Sequence, residues 1–197
     1  MTVPQSTEPP APAAAPRRSA YSLGSLSNMA RSMLVLGLLV LGLFAIVPRI
    51  SEVSRPAVDA VAKARSTAAQ VAYPLELPQG LGEGWKATVA TYAPGTEGIS
   101  TFTTVWETPG GGDIALKQAV DVTPGWLARS VNDGVRDGSV TVAGRTFERY
   151  AAGSGAQVSF VERGAGSSDP TLVLTGTVSE DELKAFAAAL REVTPTN

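Results

Sequence analysis

The sequence predicts an α+β fold in which an N-terminal transmembrane helix precedes a mostly antiparallel sheet with helices packed on one face. Three observations lead to this prediction. A 15-residue apolar run, Met33–Val47, contains no polar side chain. Short segments of alternating apolar residues follow it, and the tight turns between them are typical of antiparallel neighbours. Two segments with helix-capping signals lie between and after these strands, so helices and sheet share one domain.

The apolar run is long enough to cross a membrane when its flanks are included. Residues 29–50 comprise 22 positions, and a helix of this length spans roughly 33 Å, against a hydrocarbon core of about 30 Å. Arg31 and Arg49 stand near its ends, where their guanidinium groups can reach the membrane interface. A cleaved signal peptide is the main alternative, but the first small-x-small triplet, residues 60–62, comes too late. We therefore expect an uncleaved anchor in the lipid bilayer.

The anchor divides the chain into four predicted parts. Residues 1–28 form a Pro/Ala-rich tail that cannot build a core and is expected to be disordered. Residues 29–50 form the transmembrane helix, and residues 51–73 form a helical stalk with a weakly apolar face. Residues 74–197 form an extracytoplasmic α+β domain that is long enough for a single core.

Alternation and turn residues predict seven strands in this domain. They are Trp85–Tyr92, Ile99–Glu107, Asp113–Val120, Ser139–Val142, Arg145–Ala151, Ala156–Glu162 and Thr171–Thr177. The segment 74–84, with two prolines and three glycines, is predicted to be a turn-rich entry without a strand. Residues 109–112 predict a hairpin turn, and Asp137-Gly138 predicts another turn.

Two helices have clear start signals. Thr123 is the predicted N-cap of a short helix, with Pro124 at its first position. Ser179 and Glu182 form a capping box at the start of the last helix. Leu183, Phe186, Ala187 and Leu190 then form the stripe that packs on the sheet.

Composition excludes several classes of function. The chain contains no His and no Cys, which removes Ser-His-Asp and Cys-His catalysis, ordinary zinc sites and proximal-His haem. Residues 74–197 carry 9 basic and 15 acidic side chains, and an acidic domain argues against binding to nucleic acid. The sequence therefore predicts no catalytic, cofactor-binding or metal-ligating residues and no enzyme activity. A Ser-Lys dyad or a carboxylate pair stays open, because the sequence cannot select one.

The three tryptophans are core residues by default. Trp126, early in the short helix after Pro-Gly, is the one expected to contribute to a partner surface if any of them is exposed, because tryptophan is enriched in binding hot spots.

Several motifs resemble a known family. They are the anchor followed by Leu77-Pro-Gln-Gly-Leu-Gly-Glu-Gly-Trp85, and then Trp106-Glu-Thr-Pro-Gly110, Leu116-Lys-Gln118, Trp126-Leu127, Val140-Thr-Val-Ala-Gly144 and Leu172-Val-Leu-Thr-Gly-Thr177. The chain resembles the actinobacterial domain-of-unknown-function family 4245 from about Met29 to its end. That resemblance implies a single-pass membrane protein with an outside domain, no assigned activity and no functional residues to carry over.

Orientation and function rest partly on this resemblance. The amino side of the anchor carries 3 basic side chains and the carboxyl side 4, so charge does not fix the orientation. The short tail and the resemblance favour a cytoplasmic N-terminus and an extracytoplasmic domain at the cell membrane. The expected function is a binding or scaffold module of the cell envelope that contacts an envelope protein or a small ligand. A signalling subunit with an outer sensor domain and a His-free envelope hydrolase are the alternatives.

Overall fold

The computed structural model describes residues 21–46, 55–153 and 157–195. The chain divides into two units between Val53 and Ser54. The first unit contributes helix α1 (Tyr21–Ile46), which begins inside the predicted tail and contains the apolar run as far as Ile46. Residues 1–20 and 47–50 of the predicted tail and anchor lie outside the described residues. In the described part of the chain, no helix combines the length and the apolar character of a candidate membrane span.

Three further α-helices and nine strands are described in the second unit. The helices are α2 (Ala60–Ala68), α3 (Pro124–Ser130) and α4 (Glu180–Ala188). The strands are β1 (Glu76–Pro78), β2 (Lys86–Pro94), β3 (Ser100–Glu107), β4 (Asp113–Ala119), β5 (Val135–Val142), β6 (Arg145–Ala151), β7 (Val158–Glu162), β8 (Thr171–Gly176) and β9 (Leu190–Glu192). A 3₁₀ turn, Thr96–Gly98, joins β2 to β3.

Seven strands form one antiparallel sheet in the order β2-β3-β4-β8-β7-β6-β5. Short connections join consecutive strands within β2–β4 and within β5–β8, while α3 carries the chain from the centre of the sheet to its far edge. The predicted α+β class with an antiparallel sheet is confirmed. The predicted turn at Asp137-Gly138 is instead a β-bulge inside β5, between Arg136 and Gly138, which lets the strand continue past one extra residue.

The helices cover both faces of the sheet rather than one. Leu172 and Leu174 of β8 pack in the cluster that contains α4, whereas Val173 between them packs in the cluster that contains α3. Successive side chains of a strand point to opposite faces, so α3 and α4 lie on opposite sides. The physical reason is β8 itself: all six of its residues are buried, and a strand of this kind needs cover on both faces.

Residues 55–73 of the predicted stalk belong to the second unit. Arg55 forms an ion pair with Asp113 (Nη1–Oδ2 2.7 Å), and the Val58 N–H donates to the Ala87 carbonyl (2.9 Å). The helix in this region is α2, shorter than the predicted 51–73, and Ala60 and Ala64 are buried in a cluster with Phe102. The folded unit therefore begins before residue 74, because this segment packs on the sheet.

A two-stranded ribbon, β1 with β9, was not predicted. Glu76 pairs with Glu192, Leu77 with Arg191 and Pro78 with Leu190. The prolines and glycines of residues 74–84 favoured a turn, but Glu76–Pro78 is extended because the C-terminal strand pairs with it. The ribbon joins the entry and the exit of the second unit.

Both predicted helix starts are confirmed. The Thr123 hydroxyl accepts from the Trp126 N–H (3.0 Å), with Pro124 in the first turn of α3. The Ser179 hydroxyl accepts from the Glu182 N–H (3.2 Å), and the Glu182 carboxylate accepts from the Ser179 N–H (3.1 Å). These bonds satisfy amide groups that a helix leaves without partners at its start.

Replacing Gln118 by Met should loosen the ribbon. Gln118 is fully buried in β4, and its carboxamide bonds both the N–H and the C=O of Glu76. Methionine keeps the size but leaves both groups unpaired, so we expect a loss of about 2–4 kcal/mol in the free energy of unfolding. Urea unfolding followed by tryptophan fluorescence measures it. Gln70→Met, at an exposed glutamine that bonds only the Ser66 carbonyl, is the control and should change stability by less than about 0.5 kcal/mol.

The capping box should make the free energy of unfolding depend on pH in the acidic range. Hydrogen bonds from the Ser179 hydroxyl and N–H lower the pKa of Glu182. The box therefore stabilises the fold above the ordinary glutamate pKa of about 4.3, and this contribution is lost as pH falls through the lowered value. We expect the urea midpoint of Glu182→Gln to fall less between pH 7 and pH 3 than that of the unchanged chain. Equal falls would contradict this role.

Candidate functional site

A groove lies between α2 and the β1–β9 ribbon and is the candidate binding site. Its volume is about 420 Å³, within the usual range for small-molecule and peptide sites. It is lined by Val61, Arg65, Leu77, Pro78, Gln79, Glu192, Val193 and Thr194. We call it the α2–ribbon groove.

Helix α2 forms one wall of the groove. The Asp59 side chain caps the helix by accepting from the Ala62 N–H (2.8 Å). Ala60 and Ala64 are buried on the inner face of the helix. Each is followed by a groove residue, and because one helical residue turns the chain by about 100°, Val61 and Arg65 stand together on the exposed side. Because these inner residues are small, α2 can lie close to the sheet.

The ribbon forms the floor and the second wall. Backbone bonds from Val193 N–H to Leu75 C=O (2.8 Å) and from Gln79 N–H to Ala189 C=O (2.9 Å) extend the pairing beyond β1 and β9. Leu77 and Val193 are 1% and 6% exposed and pack in the core cluster with Ala60, Ala64 and Phe102, so the ribbon presents little apolar side-chain surface to the groove. Glu192 and Thr194 are exposed on the other side.

Gln118 fixes the ribbon to the main sheet. Its Oε1 accepts from the Glu76 N–H (2.8 Å), and its Nε2 donates to the Glu76 carbonyl (2.7 Å). The carboxamide therefore bonds β1 as the peptide group of a neighbouring strand would. Since Glu76 lies in β1 and Gln118 in the centre of the sheet, these two bonds position the floor of the groove.

Arg145 makes a second connection between β1 and the sheet. Its Nη1 lies 2.6 Å from Glu76 Oε2, its Nη2 bonds Glu162, and its guanidinium lies 5.6 Å from the centre of the Phe147 ring. Burial alone would lower the pKa of Arg145, but the hydrogen bonds that its guanidinium donates to Glu162 and Glu76 outweigh burial and raise that pKa. Both carboxylates pair with this one guanidinium, so the cluster keeps one net negative charge and acts as a structural tie between β1 and the sheet.

The groove also contains two opposite charges, Arg65 and Glu192, that do not belong to such a cluster. Arg65 stands in the last turn of α2 and Glu192 at the end of β9. Neither forms an ion pair with another residue of the described part of the chain. A cation on one wall and an anion on the other are therefore available to a ligand.

The expectation of a partner surface at Trp126 is corrected by the structure. Trp126 is 2% exposed, and its indole Nε1 donates to Thr101 Oγ1 (2.9 Å). It is buried because α3 is tied down at its start, where the Thr123 hydroxyl donates to the Glu97 carboxylate. Gly125 leaves room for that carboxylate, since a Cβ there would lie 2.0 Å from Glu97 Oε1.

The other two tryptophans are half-buried. Trp85 and Trp106 pack against Phe186 of α4, with ring centroids 5.8 Å and 6.1 Å from it. The Trp106 indole N–H donates to the Thr104 hydroxyl (3.1 Å). Their contacts serve the packing of α4 on the sheet, and neither residue lines the α2–ribbon groove.

Burial lowers the pKa of the Lys117 ammonium group. Lys117 lies opposite Thr103 and Val173 in neighbouring strands. Its partners across the sheet therefore offer no serine hydroxyl for a Ser-Lys dyad. Among the residues that the structure describes, no three acidic side chains are grouped to hold a metal ion.

The two predicted interface arginines both belong to the first unit. Arg31 is exposed on α1. Arg49 lies outside the described residues, so its role stays a prediction.

None of the groove residues was predicted from the sequence to be a site residue. Arg65 and Glu192 lie 127 positions apart, and only the unpredicted ribbon brings them to one groove. A usable signal existed for Gln118 alone, since it is a polar residue at an apolar-face position between Leu116 and Val120.

Comparison with known families identifies the family of this chain. The family model described as "Protein of unknown function (DUF4245)" matches residues 22–190, which confirms the resemblance seen in the motifs. No curated protein matches the chain.

Substitution of Trp126 by Phe should be much more costly than the same change at Trp85. The first removes a buried indole and its bond to Thr101, so we expect a loss of about 2–3 kcal/mol. Trp85→Phe, at a half-buried ring, should lose less than about 1 kcal/mol. Urea unfolding followed by circular dichroism measures both. A smaller loss at Trp126 than at Trp85 would contradict the assignment of Trp126 to the core.

Proposed function

Because the chain belongs to the DUF4245 family of proteins of unknown function, we propose a function from its own residues. We propose a single-pass membrane protein with its N-terminal tail in the cytoplasm and its α+β unit outside the membrane. That unit acts as a binding or scaffold module of the cell envelope.

Support for the anchor comes from the surface of α1. Eight of the nine residues from Met33 to Leu41 are large and apolar, and each of these is between 49% and 69% exposed. Successive helical residues turn by about 100°, so the apolar surface surrounds the helix. The transfer of each such side chain from water to an apolar environment is favourable by about 1.5–3 kcal/mol of free energy. A lipid environment for residues 29–50 removes this cost, with Arg31 and Arg49 at the interfaces.

Support for the orientation comes from the sequence. The tail before the anchor is 28 residues long and rich in Pro and Ala, whereas the folded unit follows the anchor. Basic residues are nearly balanced across the anchor, so charge gives no preference. The orientation is the one that the family resemblance implies.

The α2–ribbon groove is the observation that carries the binding role. It brings a cation, Arg65 of α2, and an anion, Glu192 of β9, to one groove, and neither forms an ion pair with another residue of the described part of the chain. Binding is proposed in preference to catalysis because the chain has no His and no Cys, the side chains that most often serve as acid-base and nucleophilic groups near neutral pH. The ligand is an envelope protein or a small molecule.

Topology reporters test this proposal. An alkaline phosphatase fused after Asn197 should be active, since it requires an oxidising compartment, and a green fluorescent protein fused before Met1 should fluoresce in the cytoplasm. Deletion of residues 29–50 should move the chain out of the membrane fraction. An inactive C-terminal phosphatase, together with a fluorescent C-terminal fusion, would contradict the orientation. Retention of the deletion variant in the membrane would contradict the anchor.

A further inference from the structure

We propose that the edge strand β5 pairs with β5 of a second copy of this chain, so that two seven-stranded sheets join across a two-fold axis. The contact is made by residues 138–142 of each copy. β5 ends the sheet on the side opposite to β2, and the pairing does not depend on a ligand in the α2–ribbon groove.

The outer side of β5 presents backbone groups that can pair with another strand. Within the described part of the chain, β6 is the only strand that pairs with β5, and no other backbone group bonds it. The turn between them, residues 143–144, has φ angles of 50° and 83°, as in a type I′ hairpin. Such a turn closes a hydrogen-bonded pair, here Val142–Arg145, and bonded and non-bonded pairs alternate from there. The N–H and C=O groups of Ser139 and Thr141 therefore point away from β6.

These outward groups match those of a second copy in one antiparallel register. When Val140 lies opposite Val140 of the second copy, Ser139 of each chain lies opposite Thr141 of the other. Each such pair then exchanges both of its N–H···O=C bonds. A shift by two residues in either direction places Asp137 in the bulge, or Ala143 in the turn, opposite the paired segment.

The side chains of this register are also complementary. Ser139 and Thr141 bring hydroxyl groups together on one face, and the two Val140 side chains meet on the other, and both kinds of pair favour an antiparallel contact. Gly138 has no side chain, which leaves room for Val142 of the second copy. The segment 138–142 contains no charged residue, so no like charges are opposed.

Charge favours a second copy over a foreign charged peptide. The two charged residues that precede the segment already have partners on β6, Arg136 with Glu148 (Nε–Oε1 3.4 Å) and Asp137 with Arg149. A charged peptide would therefore find no unpaired charge beside this edge. A neutral segment with its own hydroxyl and valine pattern fits it instead.

The opposite edge of the sheet limits the assembly to two copies. At the start of β2 the Ala87 carbonyl accepts from the Val58 N–H (2.9 Å), and at its end Pro94 has no N–H to donate. Two open edges would allow sheets to add without end. One open edge that pairs with itself closes at a two-fold dimer.

Disulfide crosslinking measures this register, because the chain has no cysteine of its own. Ser139→Cys, Val140→Cys and Thr141→Cys variants of the full chain are oxidised separately in dodecyl maltoside micelles. Val140→Cys should crosslink about tenfold faster than the other two. Its two Cα atoms would lie about 4.5 Å apart, whereas those of residue 139 or 141 would lie diagonally, about 7–8 Å apart and too far for a disulfide. No crosslinking, equal rates at the three positions, or the fastest rate at 139 or 141 would overturn the proposal.

Proline substitution separates association from folding. The Thr141 N–H points away from β6, so Thr141→Pro removes bonds between the copies and none between β5 and β6. Combined with Val140→Cys, it should slow crosslinking about tenfold and leave the urea midpoint unchanged. Val140→Pro is the matched control and should lower the urea midpoint, because the Val140 N–H bonds β6. Unchanged crosslinking with Thr141→Pro, or a urea midpoint lowered as much as by Val140→Pro, would overturn the proposal.

Discussion

The bond pair between the Gln118 carboxamide and the backbone of Glu76 is the interaction on which the rest of the second unit depends. A three-residue strand paired with another of the same length is not stable alone. Gln118 gives β1 the two hydrogen bonds that a longer neighbour would supply, at 2.8 and 2.7 Å. Both bonds are buried. If the Gln118 carboxamide is removed, the N–H and C=O of Glu76 stay buried without partners, and this costs more free energy than a hydrogen bond contributes when it forms. The ribbon is therefore part of the fold rather than an appendage, and it carries the floor of the groove.

This constraint links residues 55–78 to the α2–ribbon groove. Residues 55–78 contact the sheet at the Arg55–Asp113 ion pair, at the Val58 N–H and at the two bonds to Glu76. The wall that carries Arg65 and the floor that carries Leu77 both belong to this segment. Any change that lifts it from the sheet also dismantles the groove, so the connection from the proposed anchor and the proposed ligand site are one structural element.

Local signals in the sequence predicted much of the sheet but little of the site. Hairpins between β2, β3 and β4 and the caps of α3 and α4 depend on residues close in the chain, so turn and capping chemistry found them. The β1–β9 ribbon depends on a contact between distant segments, and its strands are too short to show alternation. The two-sided cover of the sheet follows from the fully buried β8, whose apolar run indicates burial without indicating which helix lies on which face. Trp126 was the tryptophan expected at a partner surface if any of the three is exposed, because it follows Pro-Gly at a helix start. Its indole is buried through a bond to Thr101, a residue that lies elsewhere in the chain.

The central claim is that Gln118 holds the ribbon as firmly as the main sheet is held. Hydrogen exchange at the Glu76 amide tests it most directly, because that N–H has the Gln118 side chain as its acceptor. The account predicts that this amide opens with the same free energy as the amides of β4 and β8, that is, only in global unfolding. Exchange at a rate typical of the exposed residues 82–84, while β4 and β8 stay protected, would contradict it.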